Sequence, residues 1–100
     1  MTHAEAISLV RGSNNRDSRK VGNNTYARIL NNGSVAIRLH STDVVTIHED
    51  NTATLNTDGW QTVTTKKRIN EYSPIKIYQK AREWYLSDGR DFQDGMLVGG

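Results

Sequence analysis

Three clusters in this chain carry side chains able to do chemistry. The first runs from Trp60 through Thr62, Thr64 and Thr65 into three consecutive cations, Lys66, Lys67 and Arg68. Hydroxyls and free backbone N–H groups at a helix start, backed by cations, are the means by which a protein holds an anion. The second is His40-Ser41-Thr42, half of the H-x-T pair used by two-histidine phosphoesterases, where each histidine transfers protons and each hydroxyl holds phosphate. The other half is missing, because His48-Glu49-Asp50 has no hydroxyl two residues on. The third is Arg16, Arg19 and Lys20 in Gly12–Lys20, a stretch with no apolar residue that reads as a mobile loop: a solvated linker, or a basic arm closing over an anionic ligand.

Other chemistries find little support. His40, Asp43 and His48 would form a metal site only if the turns brought all three together. There is no P-loop, glycine-rich dinucleotide fingerprint, serine elbow or zinc-ligand spacing, so neither a cofactor nor a metal is expected. With no cysteine, disulfides and thiolate ligands are excluded.

Charge placement sharpens the first cluster. The net charge of +2 argues neither for a generic nucleic-acid binder nor for an acidic DNA mimic. Yet residues 60–82 hold six Lys/Arg against one acid, while residues 83–100 hold one against four. If Thr62 caps a helix, Lys66, Lys67 and Arg68 occupy its first two turns and oppose the helix dipole, by about 0.3–1 kcal/mol for each cation near enough to feel it. A bound anion would reverse that sign; the alternative is that these are solvated surface cations.

One hundred residues give one modest core, read here as a single domain spanning 1–100. With 35% hydrophobic residues the core is small, and a homo-oligomer is the natural way to bury more. No apolar run approaches the roughly 18 residues of a membrane span and the N-terminus lacks a signal-peptide core, which points to the cytoplasm.

The elements that must position these clusters follow from patterning. Thr2 and Glu5 have capping-box spacing ahead of Ala6, Ile7 and Val10, predicting a helix over Ala4–Arg11. Asn32-Gly33 predicts a two-residue hairpin turn between Tyr26–Leu30 and Val35–His40, placing Tyr26, Leu30, Val35, Ile37 and Leu39 on the core face. A second hairpin pairs Val44–His48 with Thr52–Asn56 through the three-residue loop Glu49-Asp50-Asn51, setting Val45 opposite Leu55 and Ile47 opposite Ala53. Trp60 is expected to anchor the following helix on the sheet, with Thr65, Ile69 and Tyr72 on the buried side and Pro74 ending the helix. A third hairpin, Ile75–Lys80 with Trp84–Ser87, aligns Gln79 with Trp84 and Ile77 with Leu86, and Met96–Val98 adds a last short strand. The expected fold is α+β: a small antiparallel sheet of five or six strands, a short N-terminal helix and one basic helix between strands four and five.

The segments NNTY, VAIRLHSTDVV, TLNTDGW and TVTTKKRINEY within Asn23–Tyr72 resemble those of a family of small uncharacterised proteins carried by bacteriophages and prophages. The resemblance covers residues 20–98, setting residues 1–20 apart as a variable extension with the core in 21–98. It implies host cytoplasm as the setting and supplies no mechanism; because small phage proteins of this kind are often inhibitors, the expectation by association with that class is a non-enzymatic protein that blocks a host or anti-phage defence factor by stoichiometric binding. The expected contacts are Trp60, Thr64, Thr65, Lys66, Lys67 and Arg68, with Arg16 and Arg19 of the basic arm. The alternative is a small nucleic-acid- or nucleotide-binding protein using the same basic helix, and the less favoured option is a phosphoesterase that depends on His40.

Overall fold

The computed structural model describes residues 1–99. The order of elements is α1 (His3–Arg11), β1 (Ser18–Gly22), β2 (Thr25–Ile29), β3 (Val35–Leu39), β4 (Thr42–Ile47), β5 (Thr52–Leu55), α2 (Val63–Tyr72), β6 (Ile77–Lys80), β7 (Glu83–Leu86) and β8 (Met96–Gly99). Six strands form one antiparallel sheet in the order β1-β2-β3-β4-β5-β8, and β6 pairs with β7 apart from it. The class is the expected α+β. Because β1 precedes the strands read from the sequence, α2 follows the fifth strand rather than the fourth.

Residues 18–22, expected within or beside a mobile loop, are instead the sheet's edge strand, with Arg19 opposite Ala27 and Lys20 opposite Tyr26. An edge strand takes its hydrogen bonds from one neighbour and needs few apolar side chains, so hydropathy does not reveal it.

The β2–β3 register also differs from the expected one. Ile29 faces Val35 and Ala27 faces Ile37. The Leu30 N–H donates to Ser34 O at 2.8 Å, closing a three-residue loop in which Gly33 has φ +87°. A glycine in the left-handed region is what a three-residue hairpin loop requires at its last position. The slip puts Thr25 and Ala27 into the core and turns Tyr26 outward. Its physical reason lies above: α1 lies across β1 to β3, and the small Ala27 lets its Ala6 and Val10 approach where Tyr26 would not. By contrast β4 and β5 pair as expected, Val45 on Leu55 and Ile47 on Ala53. A bulge at Ile37/Arg38 gives β4 an extra residue, and Val44 and Val45 are both buried.

Both helices cover one face of the sheet. The capping box forms in α1, with the Thr2 N–H donating to Glu5 Oε1 at 2.8 Å and the Glu5 N–H to the Thr2 hydroxyl at 3.2 Å. In α2, Thr65, Ile69 and Tyr72 are buried as the periodicity requires, and β6 packs against the helix. The other sheet face is polar, with Asp43 between Arg28 at 3.3 Å and Arg38 at 3.1 Å.

The β6–β7 hairpin pairs Gln79 with Trp84 and Ile77 with Leu86, as expected. Its two-residue turn is Ala81-Arg82, with φ +51° and +69°. The left-handed region costs an L-residue roughly 1–2 kcal/mol, and neither side chain is of the kind that tolerates it well. The buried anchor is Trp84, edge-on to Phe92 at 5.5 Å. Trp60, expected in that role, is 67% exposed.

Candidate functional site

A cleft of about 700 Å³ opens at the start of α2. One wall is the first two turns of the helix. Thr62 has extended backbone (φ −99°, ψ 166°) and its hydroxyl accepts the Thr65 N–H at 3.1 Å, so the chain enters the helix in a fixed direction. Thr62 and Thr65 hydroxyls lie 3.0 Å apart. That cap turns Thr65 inward and leaves Thr64, Lys67 and Arg68 lining the cleft. No acid occupies the first turn, and among the described residues the N–H groups of Val63 and Thr64 find no protein acceptor.

The facing wall is made of two hairpin turns, Asn23-Asn24 between β1 and β2 and His40-Ser41 between β3 and β4. Asn24 and His40 both have positive φ, +52° and +56°, and the His40 N–H donates to Asn24 O at 2.8 Å, which ties the turns together. Arg68 spans the floor between the walls. Its Nε donates to the Thr25 hydroxyl at 2.9 Å and its Nη1 to Glu71 Oε1 at 2.8 Å, with the side chain only 13% exposed. Gly22 leaves it room, since a Cβ there would lie 3.3 Å from Arg68 Nη2.

The mouth is set by a residue far away in sequence. One Asp94 oxygen accepts the Thr57 N–H at 2.9 Å and hydroxyl at 2.8 Å, and the other accepts the Gly59 N–H at 3.3 Å. This carboxylate fixes the loop from which Trp60 projects, and the Trp60 backbone N–H in turn donates to Thr57 O at 2.9 Å.

Of the residues singled out by the sequence, the cleft brings together Trp60, Thr64, Thr65, Lys67 and Arg68. Lys66 leaves the group, its Nζ donating to Gln79 Oε1 on β6 at 3.2 Å. Arg16 and Arg19 do not line the cleft either: Arg16 is exposed between α1 and β1, and Arg19 Nη1 donates to Leu9 O at 3.0 Å. Arg68 is an internally paired cation, which leaves Lys67 as a cleft cation without a protein partner among the described residues.

His40, Ser41 and Thr42 all line the cleft, although His48 and Asp43 are elsewhere. The His48 ring lies between the Ser34 hydroxyl at 3.1 Å and the Thr54 hydroxyl at 2.7 Å, and Asp43 is held by its two arginines. The three are not brought together, and among the described residues no group of His, Asp or Glu is arranged to hold a metal ion.

Asn23, Asn24, Thr57 and Asp94 were not marked by the sequence. Asn23-Asn24 carries a turn signal, but Thr57 and Asp94 are joined only by the fold. Of the fourteen lining residues none is acidic. The wall is cationic, hydroxylic and amide-bearing, with one indole at its rim, a donor set suited to an anion attached to a flat apolar group.

The family model described as Kyanoviridae Gp96 protein matches residues 3–99. The match therefore takes in α1 and β1 as well as the segments after residue 20. Comparison with curated proteins and with solved structures gave no match. With nearly its whole length matched, the chain belongs to the Kyanoviridae Gp96 protein family of bacteriophages.

Proposed function

We propose that this phage protein is a non-enzymatic binding protein that captures an anionic ligand bearing a planar ring, of the nucleotide type, in the cleft at the start of α2, and so withdraws it from a host or defence factor. The observation that carries the reading is the composition of the cleft wall. In a chain with eleven acids, none lines the cleft, while Lys67, Arg68 and a helix start without acids do. Trp60 stands exposed at the mouth, where a tryptophan side chain supplies stacking area. An anion here would also accept the free N–H groups of the helix start and offset the dipole cost of the cations.

The test uses the protein's own fluorophores. Trp60 is exposed and Trp84 buried, so titration with nucleoside mono-, di- and triphosphates and cyclic dinucleotides should quench only the red-shifted, exposed emission, and in a saturable way. Lys67→Ala should weaken binding by about 1.5 kcal/mol, roughly tenfold, as loss of a charge-assisted hydrogen bond does. Trp60→Leu should abolish the quenching, and calorimetry should show a parallel loss of affinity. Absence of saturable binding to every ligand of that panel would remove the proposal.

A second reading rests on His40 and Thr42 both lining the same cleft. If the protein hydrolyses a phosphoester, incubation with a bound nucleotide releases product and His40→Ala stops the release. The binding reading expects the ligand to be recovered intact from wild-type protein.

A further inference from the structure

We propose that the outer face of the β6–β7 hairpin is a contact surface for single-stranded nucleic acid, with a base stacked on Tyr78 and flanking phosphates met by Lys80 and Arg82. This surface is separate from the cleft, and the inference does not depend on the reading given to the cleft.

Strand alternation creates the surface. Ile77, Trp84 and Leu86 point into the core, which sends Tyr78, Lys80, Glu83 and Tyr85 to the outside. Tyr78 and Tyr85 sit opposite each other and their rings stack at 5.6 Å, with 30° between planes. Tyr85 is half-buried and its strand is held on the far side by a bridge to Asp91. It backs Tyr78, which is 45% exposed, so Tyr78 presents an oriented ring rather than a freely rotating one. An immobilised aromatic face is the sequence-tolerant element by which proteins hold unpaired bases.

The turn gives the second argument. A two-residue turn with positive φ at both positions favours Asn-Gly. Elsewhere the chain fills its left-handed positions with glycine or with Asn24, His40, Asn51 and Asp58, residue types that tolerate that region better. At the tip of β6–β7 it places Ala81 and Arg82 instead. Strain kept at an exposed position is a marker of function, and what it gains here is a guanidinium at the tip beside Lys80. Among the described residues neither Lys80 nor Arg82 forms an ion pair, and Glu83 across the strands engages neither. A purely acidic protein partner would use the cations and leave the stacked pair idle, whereas a single strand uses both.

Fluorescence anisotropy with short labelled oligothymidylate and oligouridylate at low salt tests this on the full chain. Wild-type protein should bind saturably, with affinity falling as salt rises. Tyr78→Ala should weaken binding about tenfold, the loss expected from removing one stacked base, while Tyr78→Phe retains it. Arg82→Gly should weaken binding and raise the melting temperature, because it removes the charge and relieves the turn. That variant should fold at least as well as wild type, since glycine suits a φ of +69°, so it keeps the test decisive if Tyr78→Ala is unstable. Lys67→Ala, in the cleft, should leave oligonucleotide affinity unchanged. The proposal is overturned if wild type does not bind at low salt, or if Tyr78→Ala and Arg82→Gly bind as wild type. It is equally overturned if polyglutamate competes as well as an oligonucleotide of equal charge, or if Lys67→Ala abolishes the binding.

Discussion

Trp84 meets Phe92 edge to face inside the core, whereas Trp60 stands at the rim of the cleft. Replacing Trp84 with Ala should cost about 3–5 kcal/mol, the usual range for a large buried aromatic. Trp60→Ala should stay within about 0.5 kcal/mol of wild type, as surface substitutions do. Urea denaturation followed by far-ultraviolet circular dichroism measures both, and equal losses would place Trp60 back among the structural residues. The three adjacent cations divide in the same way. Arg68 bonds a buried threonine hydroxyl and Glu71, so Arg68→Ala should lower stability by about 1.5–3 kcal/mol, whereas Lys67→Ala should leave it unchanged. Sequence alone could not separate these pairs. Trp60 looked like an anchor because a tryptophan before a helix often is one; what holds it outward is Asp94, gripping Thr57 and Gly59 from the turn before the last strand. The three-cation run likewise gave the helix and its charge but not the direction of each stem, which depends on Thr25 and Gln79.

At the scale of elements, α1 makes the sharpest pH prediction. Glu5 is held below the usual carboxylate range, first by the Thr2 backbone N–H and then by the Thr2 hydroxyl. A depressed folded pKa means the contribution is complete above the unfolded value of about 4.5 and disappears as pH falls through the lower folded value. Amide hydrogen exchange should therefore show α1 fraying below that value before the sheet opens, and Thr2→Ala should cost about 1 kcal/mol and weaken the pH dependence without removing it, because residue 2 keeps its backbone N–H. Fraying at neutral pH in the wild type would contradict the capping account. The capping box was legible because it needs only two residues at fixed spacing. So were β4–β5 and β6–β7, where only one loop length puts the apolar residues on a common face. The β2–β3 register was not: Asn31-Asn32-Gly33 can close as a two- or a three-residue loop, and the choice falls to the packing of α1 on Ala27. The β1 strand had no hydropathy signal to read.

For the molecule as a whole, the decisive relation is that one sheet face carries both helices, so α1 is structural rather than an appendage. The His3 N–H donates to Asn51 Oδ1 at 2.8 Å and the His3 ring meets Gly33 O at 2.7 Å, which ties the start of the chain to two hairpin loops. Ala6 and Val10 are fully buried on the sheet, with Ile7 and Leu9 packed beside them. Uncovering these four side chains and the Ala27 and Ile29 surface beneath would forfeit on the order of 5 kcal/mol of apolar burial. A small domain has about 5–15 kcal/mol in total, so the loss is enough to abolish or nearly abolish folding. A chain lacking residues 1–11 should therefore lose its cooperative thermal transition and bind an apolar dye. Val10→Asp should do the same at full length, since it buries a charge with no partner. Nucleotide affinity should vanish with the fold in both cases, although α1 touches no part of the cleft, because the β1–β2 turn that supplies Asn23 and Asn24 hangs from the strands α1 covers. If the shortened chain instead melts as wild type and still binds, α1 is an extension after all, and the cleft rests on β3, β4 and α2 alone.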